Sequence, residues 1–214
     1  MDVRQFVHAR TAITFSLAAV IFYTLGSFPI SAQSAGWTAP RPDQNMIADQ
    51  PGYVPNADDE ELPLEFQKQV VFFRTTEPPG TIVVNTAERF LYLVQSNNRA
   101  IRYGIGVGRD GFQWFGLKRI DRKAEWPDWT PPPEMIQRQP YLPRFMAGGP
   151  GNPLGARALY IGGTVYRIHG TNQPQTIGSA VSSGCFRLTN PDVMDLFDRV
   201  PVGTKVVVLQ TPKL

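Results

Sequence analysis

From Thr81 onward the hydrophobic residues fall in short β-branched and aromatic runs broken by polar turns, with little helical spacing. Thr81-Ile82-Val83-Val84 is one such run, and Arg89-Phe90-Leu91-Tyr92-Leu93-Val94 follows after a polar turn. Asn97-Asn98 marks the next turn, after which Ile101, Tyr103, Ile105 and Val107 alternate with polar or glycine positions, the pattern of a half-buried strand. Residues 111–122 carry one or two more strands. Ala158-Leu159-Tyr160-Ile161 and Val165-Tyr166-Arg167-Ile168 flank Gly162-Gly163 and predict a hairpin with a two-residue loop, ending at His169. Lys205-Val206-Val207-Val208-Leu209 reads as a closing buried strand. One amphipathic helix stands out: Asn190 as N-cap, Pro191 at the first helical position, Asp192 at the positive end, then Val193, Leu196, Phe197 and Val200 on one face before Pro201-Val202-Gly203 stops it. Residues 134–139 add one helical turn. The fold class is therefore mainly β with one or two short helices.

The first eighty residues have a different texture. Arg4, His8 and Arg10 precede an uncharged stretch with an apolar core from Ala12 to Leu25, and small residues follow at Ser31-Ala32-Gln33-Ser34-Ala35. That is the layout of a secretory signal over residues 1–34, cleaved after Ala32 or Ser34, with an uncleaved anchor as the alternative. Residues 35–79 read as a mostly disordered linker, rich in Pro, Asn, Asp and Gln to Pro63, because so little apolar surface cannot offset chain entropy. Within it, residues 69–74 form a candidate edge strand. Pro78-Pro79-Gly80 is the turn that opens a catalytic domain at 80–210. Residues 126–133 set two tryptophans among prolines, either as an aromatic wall or lid over a cleft or as a hydrophobic clamp on the core.

Composition adds two restrictions. Twenty prolines and nineteen glycines agree with loop-rich β architecture. A formal charge of +3, with no basic run interleaved with aromatics, gives no case for nucleic acid. The glycine-rich residues 147–153 lack the lysine and helix of a phosphate cradle. No metal-ligand cluster is visible, and no cofactor is implied.

The candidate chemistry lies in Ser182-Ser183-Gly184-Cys185-Phe186-Arg187-Leu188-Thr189-Asn190, read with Ile168-His169-Gly170-Thr171 upstream. Cys185 is the only cysteine, and His169 is one of two histidines, the other lying in the leader. A thiol becomes a nucleophile when a base or positive charge favours its thiolate, and imidazole titrates nearest neutrality. A lone cysteine is most often a small buried apolar residue, and a lone histidine is often structural. The surroundings weigh against that. Gly184 clears space beside the sulfur, Arg187 falls two residues on and so on the same side of an extended segment, and Gly170 follows His169. One exported cysteine also has no internal disulfide partner.

These residues closely resemble the signature of the L,D-transpeptidases (the YkuD domain, or ErfK/YbiS/YcfS/YnhG group): a histidine-glycine pair, then Ser/Thr-x-Gly-Cys-aliphatic-Arg-Met/Leu-x-Asn. The likeness spans about residues 80 to 209 and takes in residues 125–132 and Asn152-Pro153-Leu154-Gly155. Two positions depart from it: Ser183 stands where many members carry a second histidine, and Phe186 where isoleucine or valine is usual. The first leaves His169 as sole imidazole base. The resemblance implies a YkuD-like β-sandwich or barrel and a periplasmic or cell-envelope enzyme with Cys185 as nucleophile and His169 as base. Gly184, Arg187, Ser182, Ser183 and Gly170 would shape the substrate and oxyanion sites. It implies peptidoglycan stem peptides as partners, with another stem, an envelope protein or a D-amino acid as acyl acceptor, water giving hydrolysis instead. Membrane contact would be through the leader only. Sortase-like enzymes are disfavoured by Ser-Gly-Cys-x-Arg, and papain-like endopeptidases by histidine preceding cysteine. The alternative of another class is a non-catalytic wall-binding module.

Overall fold

The computed structural model describes residues 51–56 and 61–210, all within the unit Ala39–Leu214. The leader reading falls on residues outside this range. Among the described residues the strands are β1 (Gln69–Phe72), β2 (Ile82–Asn85), β3 (Phe90–Gln95), β4 (Arg99–Gly104), β5 (Val107–Gly108), β6 (Gly116–Glu125), β7 (Arg157–Ile161), β8 (Arg167–His169), β9 (Ala180–Ser182), β10 (Phe186–Arg187) and β11 (Lys205–Leu209). The helices are α1 (Pro133–Arg138) and α2 (Asn190–Arg199). No helix among them is long and apolar enough to cross a membrane.

Nine strands hydrogen-bond in the order β1-β4-β3-β2-β11-β6-β7-β8-β10, and β5 pairs with β9. The uninterrupted β-branched runs lie at the centre because they must be buried on both faces. Ile82 and Val84 of β2 and Leu91 and Leu93 of β3 enter the main core, while Val83, Tyr92 and Val94 pack a second cluster with Phe73 and Ala100 on the other face. β11 lies parallel to β2 and antiparallel to β6. The long β6 serves two partners, β11 through Gly116–Arg119 and β7 beyond, with a register shift between Ile120 and Arg122. A bulge there bends the strand and carries the sheet round toward the site.

Several expectations shift in register. β1 pairs antiparallel with β4, so the sheet begins well before Gly80 and residues 69–72 are an integral edge. The two-residue hairpin turn is longer: β7 ends at Ile161 and β8 starts at Arg167, because the Thr164 hydroxyl donates to Ile161 O and accepts from Tyr166 N, satisfying a wider loop. Residues 111–115 are loop, and a single strand follows them. Part of the expected linker is tied down: Gly52 N donates to Gly151 O, and Asn172 Nδ2 donates to Tyr53 O.

The helix α2 spans the predicted residues, but its N-cap is Thr189, whose hydroxyl accepts from Asp192 N at 3.4 Å. Asn190 is drawn away to accept from Ala156 N at 2.9 Å, next to Gly170, where a Cβ would overlap its Oδ1. At the other end Lys123 Nζ donates to Phe197 O and Val200 O, closing the C-terminal carbonyls with a positive charge. Val193, Leu196 and Val200 bury the apolar face in the main core. Tyr103 OH donates to Asp195 Oδ2 at 2.7 Å and ties the helix to β4. The Arg199 hydrogen bond is the main reason the Asp195 carboxyl is held down to about 2.

Removing the Asn190 acceptor strands the Ala156 N–H. Asn190→Ala should lower the unfolding free energy by about 1–2 kcal/mol, seen as a lower urea midpoint with an unchanged m-value. A shift under about 0.5 kcal/mol would mean this tether contributes nothing beyond a solvent contact.

Candidate active site

The site is built by β8 and β10, which run side by side in parallel with Phe186 opposite Ile168 and Arg187 opposite His169. Phe186 and Ile168 are 1% and 0% exposed and belong to the main core. Side chains alternate along a strand, so His169 and Arg187 share the opposite face, and the same two-residue repeat puts Cys185 on the side of Arg187. Leu188 N donates to His169 O, and Gly106 exchanges two backbone hydrogen bonds with Arg187, so the segment is held from both sides. Of the seven residues read from the sequence, His169 and Arg187 are paired directly across β8 and β10, Gly170 follows β8, Ser182 ends β9, and Ser183, Gly184 and Cys185 lie in the turn between β9 and β10. Ser183 sits at its exposed edge and is reached by Arg138 of α1.

Cys185 is half-buried and in no disulfide. The turn before it is stapled by one hydroxyl: Ser182 Oγ donates to Cys185 O at 2.6 Å and accepts from Gly184 N at 3.2 Å. The Gly184 N–H is thus engaged, and holding an oxyanion would require it to leave or share that bond. Gly184 has φ +106, and a Cβ there would overlap the Tyr166 ring, so the position demands glycine twice over. Tyr166 stacks on Trp114 with centroids 5.1 Å apart, and Trp114 Nε1 donates to Gly184 O at 3.0 Å. Trp114 and Tyr166 were not singled out by the sequence. Their contacts to the cysteine loop arise across long separations, and the only local sign was an aromatic-rich loop before β6.

His169 is buried, and Nδ1 lies 2.5 Å from Gly170 O, so a neutral ring donating from Nδ1 keeps its lone pair on Nε2. Burial is the main cause of an imidazole pKa well below the ordinary value of 6.5. The positive charges of Arg187 and Arg167 push it the same way, while the Gly170 and Leu154 carbonyls oppose. At neutral pH the ring is uncharged and can accept a proton. Arg187 is itself only 5% exposed.

Residues 126–155 border this face, the Leu154 backbone reaching the His169 ring. Trp129, Met135, Leu142 and Leu154 form a small core of their own, and Asn152 Nδ2 donates to Pro127 O, Met146 O and Ala147 O. Trp129 is 4% exposed and serves as a clamp, whereas Trp126 is 41% exposed. Trp129 thus fits the clamp reading, and Trp126 is left at the surface. Among the described residues no group of three or more His, Cys, Asp or Glu could hold a metal ion.

The sequence model of the L,D-transpeptidase catalytic domain (YkuD) matches residues 79–208. The chain belongs to the L,D-transpeptidase family. A probable L,D-transpeptidase ErfK/SrfK of Escherichia coli K12 is 44% identical over 140 residues, 61% of this chain and 44% of that one. The chain thus covers under half the length of that curated relative. A solved structure described as a probable carnitine operon oxidoreductase from Brucella melitensis is 51% identical, covering 72% of this chain and 100% of that one, with a TM-score of 0.46. The Ldtfm–avibactam carbamoyl enzyme shares the fold at 18% identity and TM-score 0.51, over 64% of this chain and 51% of that one.

The burial of a neutral His169 has a stability signature. Above about pH 6.5 the ring is neutral in folded and unfolded chains alike. Below that the unfolded chain binds a proton that the folded chain refuses, so this contribution to stability is lost as pH falls from 6.5 toward the depressed folded value. His169→Gln should therefore lose less Tm than the parent protein between about pH 6.5 and pH 5. Parallel slopes in thermal unfolding would place the parent imidazole in water.

Proposed function

We propose that the chain is an exported cysteine acyltransferase that forms peptidoglycan cross-links from tetrapeptide stems. The observation that supports this best is the parallel register that lays the segment following Cys185 against His169, with the buried guanidinium of Arg187 two residues beyond the cysteine and on the face of His169. In this reading residues 1–34 direct export, a linker follows, and residues 80–210 carry the reaction.

In the first step His169 takes the proton of Cys185 as the thiolate attacks the amide carbonyl between the diamino acid and terminal D-Ala of a donor stem. The carbonyl oxygen becomes an oxyanion, held by backbone N–H groups around Gly184 and Cys185, the Gly184 N–H sharing or leaving its bond to Ser182 Oγ, each such donor worth roughly 3 kcal/mol in acyl-transfer enzymes. The C–N bond then breaks, D-Ala leaves with the proton from His169, and a thioester remains. In the second step a side-chain amine of another stem attacks the thioester, His169 takes its proton, and the sulfur leaves to be protonated again. An envelope-protein amine or water in place of that amine gives attachment or hydrolysis. Ser182 holds the turn, Ser183 and Gly170 border it, and Arg187 supplies fixed positive charge beside the developing anion.

Purified full-length protein incubated with tetrapeptide muropeptides should yield cross-linked dimers and free D-Ala by mass spectrometry. Cys185→Ala should abolish both with the fold retained by circular dichroism. His169→Ala should lower the rate by about a hundredfold or more. Cross-linking by the Cys185→Ala protein would move the nucleophile elsewhere.

A further inference from the structure

Two peptide groups flank Cys185, and both have their carbonyls held. Ser182 Oγ, within the motif, donates to Cys185 O on the C-terminal side. On the N-terminal side the Gly184 carbonyl is taken by Trp114, seventy residues upstream, whose Nε1 donates to it at 3.0 Å. Trp114 is itself firmly placed. It is half-buried, its ring stacks on Tyr166 at 5.1 Å with 6° between the planes, and it meets Phe186 of the main core at 5.5 Å. The loop that carries it is docked on the strand leading into the cysteine turn: Gly108 of β5 lies opposite Ser182 of β9, and Arg109 N donates to Ser182 O at 3.0 Å. Gln113 Nε2 closes the loop by donating to Gly108 O at 3.3 Å.

A carbonyl held in this way fixes more than itself. The Gly184–Cys185 peptide is trans and planar, so its C=O and the N–H of Cys185 point in opposite directions. The carbonyl points at Trp114, on the side of Tyr166, Phe186 and Ile168. The Cys185 N–H is therefore aimed at the opposite side, the face that carries His169 and Arg187. That direction belongs to the peptide plane and holds whatever the N–H touches in the resting chain. Glycine at 184, with φ +106, gives the backbone the freedom to turn this peptide over, and the indole N–H opposes it.

We propose that Trp114 is a positioning residue for acyl transfer, holding the Gly184–Cys185 peptide so that the Cys185 N–H faces the oxygen of the carbonyl under attack. The role rests on the reading above, in which Cys185 is acylated through an oxyanion. Trp114 acts through Gly184 and takes no part in proton transfer. Its loss weakens reactions of the sulfur that pass through an oxyanion and spares those that do not. Alkylation by iodoacetamide is of the second kind: the sulfur displaces iodide at a tetrahedral carbon, and no oxyanion forms.

The test compares full-length parent protein with Trp114→Phe, which keeps an aromatic ring against Tyr166 and removes the N–H. Val94→Ala, in the second cluster on the other face of the sheet, is the control for lost core stability. Cys185 is the chain's one cysteine, so two of its reactions are timed on the whole protein. Acylation by p-nitrophenyl acetate is followed as the nitrophenolate burst above the Cys185→Ala background, and alkylation by iodoacetamide as added mass. In Trp114→Phe acylation should slow by about tenfold or more, while alkylation stays within about twofold. With tetrapeptide donors kcat should fall by a similar factor and KM stay within about threefold. Benzothienylalanine in place of Trp114 exchanges the N–H for sulfur, keeps the ring outline, and should give the same split. It carries the test if the phenylalanine variant does not fold. Equal slowing of both reactions makes Trp114 a prop for the loop and overturns the proposal, as does unslowed acylation or the same split in Val94→Ala. If the parent protein consumes no tetrapeptide but the acetate split appears, the transpeptidase reading fails and the positioning role stands. A parent protein whose Cys185 takes up no acetyl group overturns both.

Discussion

The geometry around the cysteine depends on two cross-strand pairs, Phe186 with Ile168 and Arg187 with His169. Parallel strands need a crossover, and here the chain between them runs through a 3-10 turn at Pro174–Thr176 and through β9, which itself pairs with β5. Register is fixed by the core: Ile168 and Phe186 are both fully buried, so a slip of one residue would drive His169 and Arg187 into the apolar interior. The penalty for that slip, two polar or charged groups buried against hydrocarbon, is what keeps the imidazole and the cysteine segment on a common face. The geometry of the candidate site is thus a by-product of packing.

The same pairing explains how much was legible in the sequence. Strands β2, β3 and β11 were visible because a strand buried on both faces must be a continuous apolar run, and few other elements look like that. The cysteine motif was visible because its residues are neighbours in sequence. What could not be read were choices settled by distant partners. Thr189 and Asn190 are both good N-caps, and only the N–H of Ala156, more than thirty residues upstream, claims the asparagine and leaves the cap to threonine. Likewise the sequence offers the Gly184 amide as an open donor, but the hydroxyl of Ser182 takes it up in the folded turn. Residues 111–115 are loop rather than strand, with the Trp114 ring spent on the cysteine turn, its Nε1 donating to Gly184 O, and the Phe112 carbonyl packed against Gly184.

The lid shows the limit of texture as a guide. Tryptophans among prolines suggest either a wall or a clamp, and nothing local decides between them. Trp129 is buried because Met135, Leu142 and Leu154 fold back over it, while Trp126, with φ +38 and much of its ring exposed, is left outside. Asn152 then crosslinks the ends of the segment by donating to three carbonyls. This miniature core with its own polar clasp carries α1, from which Arg138 reaches Ser183.

Charge at the site constrains how the proposed chemistry can run. A resting thiolate–imidazolium pair would place a cation on a buried ring already facing Arg187 and Arg167, and both burial and those guanidiniums disfavour it. The same guanidiniums attract an anion, whether at sulfur or at a substrate carbonyl becoming an oxyanion. Burial and those guanidiniums thus both favour the neutral ring. In the proposed reaction a neutral His169 takes the thiol proton as attack on the carbonyl begins, and the negative charge that moves to oxygen stays within the same positive field. A base with a depressed pKa is poor at storing a proton and ready to return it, which suits a residue that must hand that proton to a departing amine in the same turnover.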